Sequence, residues 1–191
     1  MNNVQRTAQP APSPRGGGTL GVGIPERVHL VGVGGIHMSG IARILRARGH
    51  TVSGSDLHLS PLTSDLEQIG VTVHEGHRGD NIDDAGLVVY TSAAHGDNPE
   101  IAAARSRGVE TIKRAEMVAR LMTGKKVIAV AGTHGKTTTT SLIAFMLHRA
   151  GLSPTIMIGG ESIDLGTNAL PGEGDYFVVE ADEYDRAFLN Y

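Results

Sequence analysis

The chain has 191 residues, 40% hydrophobic and 19% charged, which suits one large globular domain or one domain with part of a second. A formal net charge of −3 without a basic stripe excludes the electrostatic footprint of a nucleic-acid-binding protein. The lack of cysteine excludes disulfides and thiolate metal sites, and no stretch approaches the ~18 apolar residues of a membrane span, so we expect a cytoplasmic protein without membrane partners.

Residues 1–25 contain four of the eight prolines and no apolar core of a secretory signal, and we expect them to form a disordered leader. From Arg27 onward, short β-rich runs alternate with helical patterns, which is typical of an α/β fold with a mainly parallel sheet. The sequence predicts strands at 27–32, 51–56, 71–74, 86–92 and 110–113, and helices at 38–49, 60–70 and 98–108.

A helix at 114–124 leads to a second unit, which begins with a strand, a glycine loop and a long helix. A strand at 155–158, a polar glycine-rich loop at 159–174 and a strand at 175–180 follow. Parallel sheets of only three strands rarely stand alone, so we expect the second unit to be incomplete and the chain to be truncated.

The first glycine loop lies in "VGVGGIHMSG", between a predicted strand and a predicted helix. Gly32 and Gly34 fit the dinucleotide fingerprint G-x-G-x-x-G, but His37 takes the place of the third glycine. Asp56 lies 24 residues after Gly32, near the position of a ribose-binding acid. These residues leave open an NAD-dependent oxidoreductase, another phosphate ligand, or no ligand.

The second glycine loop lies in "VIAVAGTHGKTT", where backbone N–H groups and a helix dipole can surround phosphate oxygens. Lys136 would reach the terminal phosphates, and the Thr137 hydroxyl would ligate Mg²⁺. The strict P-loop pattern requires glycine at position 130, which is Val130 here. A plain βα turn and a P-loop GTPase or transport ATPase are the alternatives.

An acidic segment follows the last predicted strand, in "DYFVVEADEYD". Glu180 comes directly after the apolar residues, at the carboxyl end where ligands of open α/β sheets collect. Magnesium is commonly held by one or two carboxylates together with nucleotide oxygens, so Glu180 is a candidate metal ligand. Asp182, Glu183 and Asp185 are equally consistent with a solvated acidic loop.

The segments "AVAGTHGKTTTTS" and "VVEADEYDRAFL" resemble the ATP-binding central domain of the Mur ligases, the ADP-forming amino-acid ligases of peptidoglycan synthesis. "HLVGVGGIHMSGIARILRARGHTVSGSD", "GHRGDNI" and "VVYTSAAHGDNPEI" are similar to the UDP-binding domain of the same family. The resemblance implies a Rossmann-like, parallel-sheet UDP-sugar-binding domain at residues 26–114. An incomplete P-loop-containing mononucleotide-binding α/β domain would follow at residues 115–191.

The resemblance also implies the reaction: ATP-dependent ligation of L-alanine to UDP-N-acetylmuramate through an acyl phosphate, with ATP and Mg²⁺ as cofactors. The residues 1–191 alone would lack the amino-acid-binding part and should not complete catalysis. Tyr184 stands where many alanine-adding members have serine, so addition of a tripeptide to the same nucleotide sugar is the alternative.

Carried over to this sequence, the resemblance assigns catalytic roles to Lys136 and Glu180 and metal ligation to Thr137 and Glu180. The ATP cradle would be Gly132, Thr133, His134, Gly135, Lys136, Thr137 and Thr138, with no chemistry assigned to His134. The UDP-sugar site would contain Gly32, Gly34, Gly35, Ser55, Asp56, His77, Ser92 and Asn168. Because His37 replaces a glycine at the start of a helix, we expect its ring to face the UDP diphosphate and donate a hydrogen bond.

Overall fold

The computed structural model describes residues 23–91, 93–94, 97–162 and 167–181. The first unit contains β1 (Arg27–Val31), α1 (Ile36–Ala47), β2 (Thr51–Asp56), α2 (Pro61–Gln68), β3 (Thr72–Glu75), a 3₁₀ helix (Gly79–Ile82), β4 (Leu87–Tyr90), α3 (Pro99–Ser106), β5 (Glu110–Lys113) and α4 (Arg114–Met122). The second contains β6 (Lys126–Val130), α5 (Lys136–Arg149), β7 (Thr155–Ser162), β8 (Thr167–Leu170) and β9 (Tyr176–Glu180).

The strands form two sheets, and the predicted parallel α/β architecture is confirmed. The first sheet has the order β3-β2-β1-β4-β5 and is parallel throughout. The second has the order β6-β9-β7-β8, with β8 antiparallel to β7. No helix among the described residues has the length and apolar character needed to traverse a bilayer.

The predicted loop at 159–174 is wrong. β7 continues to Ser162 and pairs with β8, so the described part of the second unit has four strands rather than three. Glycine and polar residues suggested a loop, but Asn168 and Ala169 of β8 are each only 2% exposed because this hairpin packs on α1. The tertiary contact therefore overrides the local composition.

A single apolar cluster connects the two sheets. On one face of the first sheet, Leu30 packs with Ile41 of α1 and Leu121 of α4. The same cluster includes Met157 and Phe177 of the second sheet. Helix α1 is thus packed between the first sheet and the β7–β8 hairpin.

Helix α4 contributes its apolar residues to the core of the first sheet. Met117, Val118 and Leu121 are at most 3% exposed and belong to the cluster that contains Leu30. The boundaries predicted for the domains stay predictions. Residues 1–22 of the predicted leader lie outside the described residues.

Candidate functional site

The first glycine loop joins β1 to α1 and is held against the end of β2. The N–H groups of Gly32 and Val33 both donate to the carbonyl oxygen of Ser55, at 2.8 and 2.9 Å. Gly32 has φ +80°, which a residue with a side chain rarely adopts. Gly54 of β2 lies beneath the loop, where a Cβ would come within 2.7 Å of Val33 Cβ, so the tight turn requires glycine at position 54.

The middle of this loop contacts the Asp56 carboxylate. The Gly34 N–H donates to Asp56 Oδ2 at 2.9 Å, and a Cβ on Gly34 would lie 2.8 Å from the same oxygen. Asp56 therefore both shapes the loop and brings a negative charge beside it. Gly35 is the N-cap residue of α1, and the amino end of that helix favours an anion.

Beside this loop lies a buried polar cluster centred on Glu100, which we call the Glu100 cluster. The carboxylate accepts hydrogen bonds from Ser55 Oγ at 2.6 Å, Asn81 Nδ2 at 2.7 Å and His77 Nδ1 at 3.0 Å. His29 Nε2 lies 3.5 Å from Glu100 Oε1, an ion-pair distance longer than a hydrogen bond.

The Glu100 carboxylate is kept ionised by its neighbours. Burial raises the pKa of this carboxyl, but polar contacts with His29, Ser55 and Asn81 outweigh burial and lower the pKa to about 2. Sequence reasoning missed Glu100, Asn81 and His29 as members of this site. The segment "NPE" indicated only a helix start, and Asn98 does cap α3 by accepting the N–H of Glu100 at 2.9 Å.

The second glycine loop joins β6 to α5 and has the backbone of a phosphate loop. Gly132 has φ +147° and Gly135, the N-cap residue of α5, has φ +74°. Lys136 folds back so that its Nζ donates to the Gly132 carbonyl oxygen. The lysine ammonium therefore lies over the loop, where it would meet phosphate oxygens.

Glu180, the last residue of β9, faces this loop. Its side chain is buried, and Oε2 accepts a long hydrogen bond from Thr137 Oγ1 at 3.4 Å. Its other oxygen, Oε1, is buried without a hydrogen-bond partner among the described residues. A buried anionic oxygen without a partner is costly unless a cation binds it, so Thr137 and Glu180 fit a magnesium site.

Gly159 of β7 brings the two loops together. A Cβ at this position would lie 2.8 Å from Glu180 Oε2 and 3.4 Å from His37 Nε2. The His37 ring, which begins in the first unit, thus reaches the neighbourhood of the Glu180 carboxylate. A further cross-link comes from Asn168, whose Nδ2 donates to the Ile36 carbonyl oxygen and to Ser39 Oγ at 3.2 Å.

The structure brings some of the predicted site residues together at the seam between the two sheets: Thr137 contacts Glu180, and Asn168 contacts α1. Asp56 lies against Gly34 of the first loop, and His77 lies in the Glu100 cluster. Two residues predicted to bind the UDP-sugar use their side chains for contacts within the protein. The Ser55 hydroxyl is buried in the Glu100 cluster, and the Asn168 amide donates a hydrogen bond to α1. Ser92, Asp182, Glu183 and Asp185 lie outside the described residues. Gly54 and Gly159 were missed because their role depends on contacts between strands that are distant in sequence.

A parallel sheet with a glycine loop before α1, joined to a second sheet with a glycine loop that bears a lysine, is an arrangement typical of nucleotide-binding α/β folds. The family model described as "Mur ligase family, catalytic domain" matches residues 27–126. The chain belongs to the Mur ligase family, which confirms the resemblance stated from its motifs.

Curated relatives agree with this assignment. Proteins named UDP-N-acetylmuramate–L-alanine ligase are 55% identical in Geotalea daltonii, over 86% of this chain and 36% of the relative, and 53% identical in Carboxydothermus hydrogenoformans, over 85% and 35%. The chain therefore spans about a third of the length of these relatives.

Solved structures share the fold. The UDP-N-acetylmuramate–alanine ligase of Thermotoga maritima is 36% identical with a TM-score of 0.77, covering 82% of this chain and 37% of that one. A murein peptide ligase from Psychrobacter arcticus is 32% identical with a TM-score of 0.80, covering 87% and 41%.

Proposed function

We propose that the full-length protein containing this chain ligates L-alanine to UDP-N-acetylmuramate with ATP, forming an acyl phosphate and then an amide, ADP and phosphate. The observation that carries the proposal is that the Cβ position of Gly159 lies close to both His37, at the start of α1, and Glu180, whose Oε1 is buried without a hydrogen-bond partner among the described residues. A nucleotide sugar on one loop and ATP on the other would bring their reacting groups to the same seam. The names of the curated relatives support the alanine-specific reaction.

The ATP end would be held by residues of the second loop. Lys136 lies over the loop and would neutralise phosphate charge, while Gly132, Thr133, His134, Gly135 and Thr138 would form the cradle. Thr137 and Glu180 would hold Mg²⁺, which when bound supplies charge neutralisation for phosphoryl transfer. Burial shields Glu180 Oε1, which has no hydrogen-bond partner in the described part of the chain, from water and so strengthens its attraction for a cation.

The UDP-sugar end would be held by the first loop. Gly32, Gly34 and Gly35 would approach the diphosphate, which the amino end of α1 favours. Asp56 and His77 would meet the nucleoside, together with Ser92. Ser55 and Asn168 would act by positioning, because their side chains contact His77 and α1 respectively.

His37 would serve the segment between the two nucleotides. It is the second residue of α1, and its Nε2 lies 3.4 Å from the Cβ position of Gly159. An imidazole there could donate to the diphosphate or to the sugar-borne carboxylate that accepts phosphate. Both contacts would lie between the first and second glycine loops. A side chain can reach this place because His37 stands where the fingerprint has its third glycine.

We further propose a UDP-sugar-binding domain at residues 26–114 and the start of the central ATP-binding domain at 115–191. A cytoplasmic location follows from the consumption of ATP. Addition of a tripeptide is the second candidate, because the Psychrobacter structure has a TM-score of 0.80. An oxidoreductase is not favoured, since Lys136 and Glu180 have no use in hydride transfer.

The test is ADP release by the full-length protein with UDP-N-acetylmuramate, offered either L-alanine or the tripeptide. We expect release with L-alanine and its loss in Glu180→Gln, while Glu173→Gln, an exposed acid near the same sheet, retains activity. Release only with the tripeptide would select the second candidate. Tight NADH binding without UDP binding would overturn both ligase candidates.

A further inference from the structure

The Glu100 cluster is unusual in a small α/β unit, because burying a carboxylate has a free-energy cost. Its carboxylate is fully buried and accepts hydrogen bonds from β2, from the segment after β3 and from the 3₁₀ helix, with His29 of β1 nearby. A buried charge of this kind rarely adds net stability compared with apolar packing. Clusters of this kind concentrate at functional sites, where a polar group is held in one state.

The hydrogen-bond pattern determines which nitrogen of His77 carries a proton. An ionised carboxylate only accepts, so the Ser55 hydroxyl must donate to Glu100 Oε2 at 2.6 Å. His77 Nδ1 lies 3.0 Å from Glu100 Oε2 and 2.9 Å from Ser55 Oγ. Both of these oxygens are available to it as acceptors, so Nδ1 is protonated and, in the neutral ring, Nε2 carries the lone pair.

Ser55 links the His77 ring to the first glycine loop. Ser55, which contacts Nδ1, also accepts the loop N–H groups of Gly32 and Val33 through its carbonyl oxygen. Glu100 is wholly buried, whereas the His77 side chain is 19% exposed. Of Glu100 and His77, only the His77 ring can therefore contact a ligand at the carboxyl end of the sheet.

We propose that Glu100 is a positioning residue that holds His77 as the Nδ1–H tautomer, so that Nε2 accepts a hydrogen bond from the nucleoside of a bound nucleoside diphosphate. The ligand half of this inference rests on the proposed function, while the tautomer does not. Because His77 Nε2 accepts, its partner on the nucleoside must be a hydrogen-bond donor, either the imide N–H of uracil or a ribose hydroxyl. Cytosine has no proton on the corresponding ring nitrogen, and this difference separates the two sources.

The tautomer is measured by long-range ¹H–¹⁵N NMR on the 191-residue chain labelled at histidine, with His77→Gln identifying the His77 signals. At a pH where the ring is neutral, we expect a protonated Nδ1 and an unprotonated Nε2. We expect Glu100→Gln to mix the tautomers, because an amide can also donate to Nδ1. The control is Glu116→Gln, at an exposed acid that pairs with Arg120. An Nε2–H tautomer in the unchanged chain would overturn the proposal.

The ligand contact is measured by titrating the same chain with UDP, CDP and 2′-deoxy-UDP. We expect a change in the Nε2 shift on UDP binding and about a tenfold higher Kd in Glu100→Gln, corresponding to about one hydrogen bond. A loss with CDP assigns the uracil imide, and a loss with 2′-deoxy-UDP assigns the ribose. Equal UDP affinity in a folded Glu100→Gln variant would overturn the positioning role.

Two further results keep the inference separable from the proposed function. If Glu100→Gln does not fold, the tautomer of the unchanged chain and a tenfold loss of UDP affinity in His77→Ala carry the test. If the unchanged chain has the Nδ1–H tautomer but binds no UDP, the proposed function of this unit fails together with the ligand contact. The control by Glu100 over the tautomer would then stand alone.

Discussion

Acid should destabilise the chain partly through Glu100. Contacts with His29, Ser55 and Asn81, acting against burial, lower the pKa of this carboxyl from 4.5 to about 2 on folding. Each pKa unit corresponds to 1.36 kcal/mol, so the carboxylate contributes about 3 kcal/mol to the free energy of unfolding. Because the folded pKa lies below the unfolded pKa, the contribution is complete above about pH 4.5 and disappears as the pH falls to about 2.

The measurement is urea unfolding between pH 7 and pH 2 for the unchanged chain and for Glu100→Gln. The variant should be less stable at pH 7, and its stability should decline by about 3 kcal/mol less between pH 4.5 and pH 2. His29, His74 and His77, which lie near this carboxylate, are present in both proteins. Parallel stability curves over this interval would refute the reasoning.

Glu110 provides the matched control for burial. Its hydrogen bonds with Arg120 also lower its pKa, but its side chain is 50% exposed. Solvent screens an exposed pair, so the pH dependence of stability in Glu110→Gln should follow that of the unchanged chain. A flattening as large as that of Glu100→Gln would show that burial is not the source of the effect.

Three further predictions concern the seam. Gly40→Ala should destabilise the chain despite the helix-propensity gain of about 1 kcal/mol, because its Cβ would lie 3.1 Å from Ala169 Cβ; a net gain in urea unfolding would contradict this. Gly159→Ala should weaken Mg²⁺-dependent ATP binding by at least about tenfold. Its Cβ would lie only 2.8 Å from Glu180 Oε2 and would push that carboxylate away. Unchanged affinity in calorimetry would argue against the metal site. His37→Gly should raise the Kd for UDP about tenfold by removing one donor, and an unchanged Kd would exclude contact with the diphosphate.

Local patterns were sufficient for the alternating strands and helices and for both glycine loops. Asn98 illustrates why: its cap is formed with residues two and three positions ahead, so the short segment contains the whole interaction. The hairpin strand β8 was not predictable in this way. Its Asn168 contacts Ile36, 132 residues earlier, and the segment "GTNAL" alone has the composition of a loop.

The Glu100 cluster was hidden for a related reason. An acid in the first turn of α3 is usually explained by the helix dipole, and most such acids are exposed. Glu100 is buried because Ser55, His77 and Asn81 converge on it from separate elements. A single sequence records none of these distances, so the positioning role emerges only from the tertiary structure.

Helix α1 explains how two loops from different sheets would serve the proposed reaction. Its first turn follows the first glycine loop, and the Ile36 carbonyl oxygen of the same turn accepts a hydrogen bond from Asn168 of the β7–β8 hairpin. A Cβ on Gly159 of that hairpin would lie close to both His37 and Glu180. In the proposed reaction, the distance between the sugar carboxylate and the proposed metal site would therefore depend on the packing of α1 against the hairpin. A substitution that separates α1 from the hairpin should lower kcat by a larger factor than it raises the Kd for either nucleotide. Each loop remains intact on its own sheet, so binding is retained while the reacting groups are misplaced.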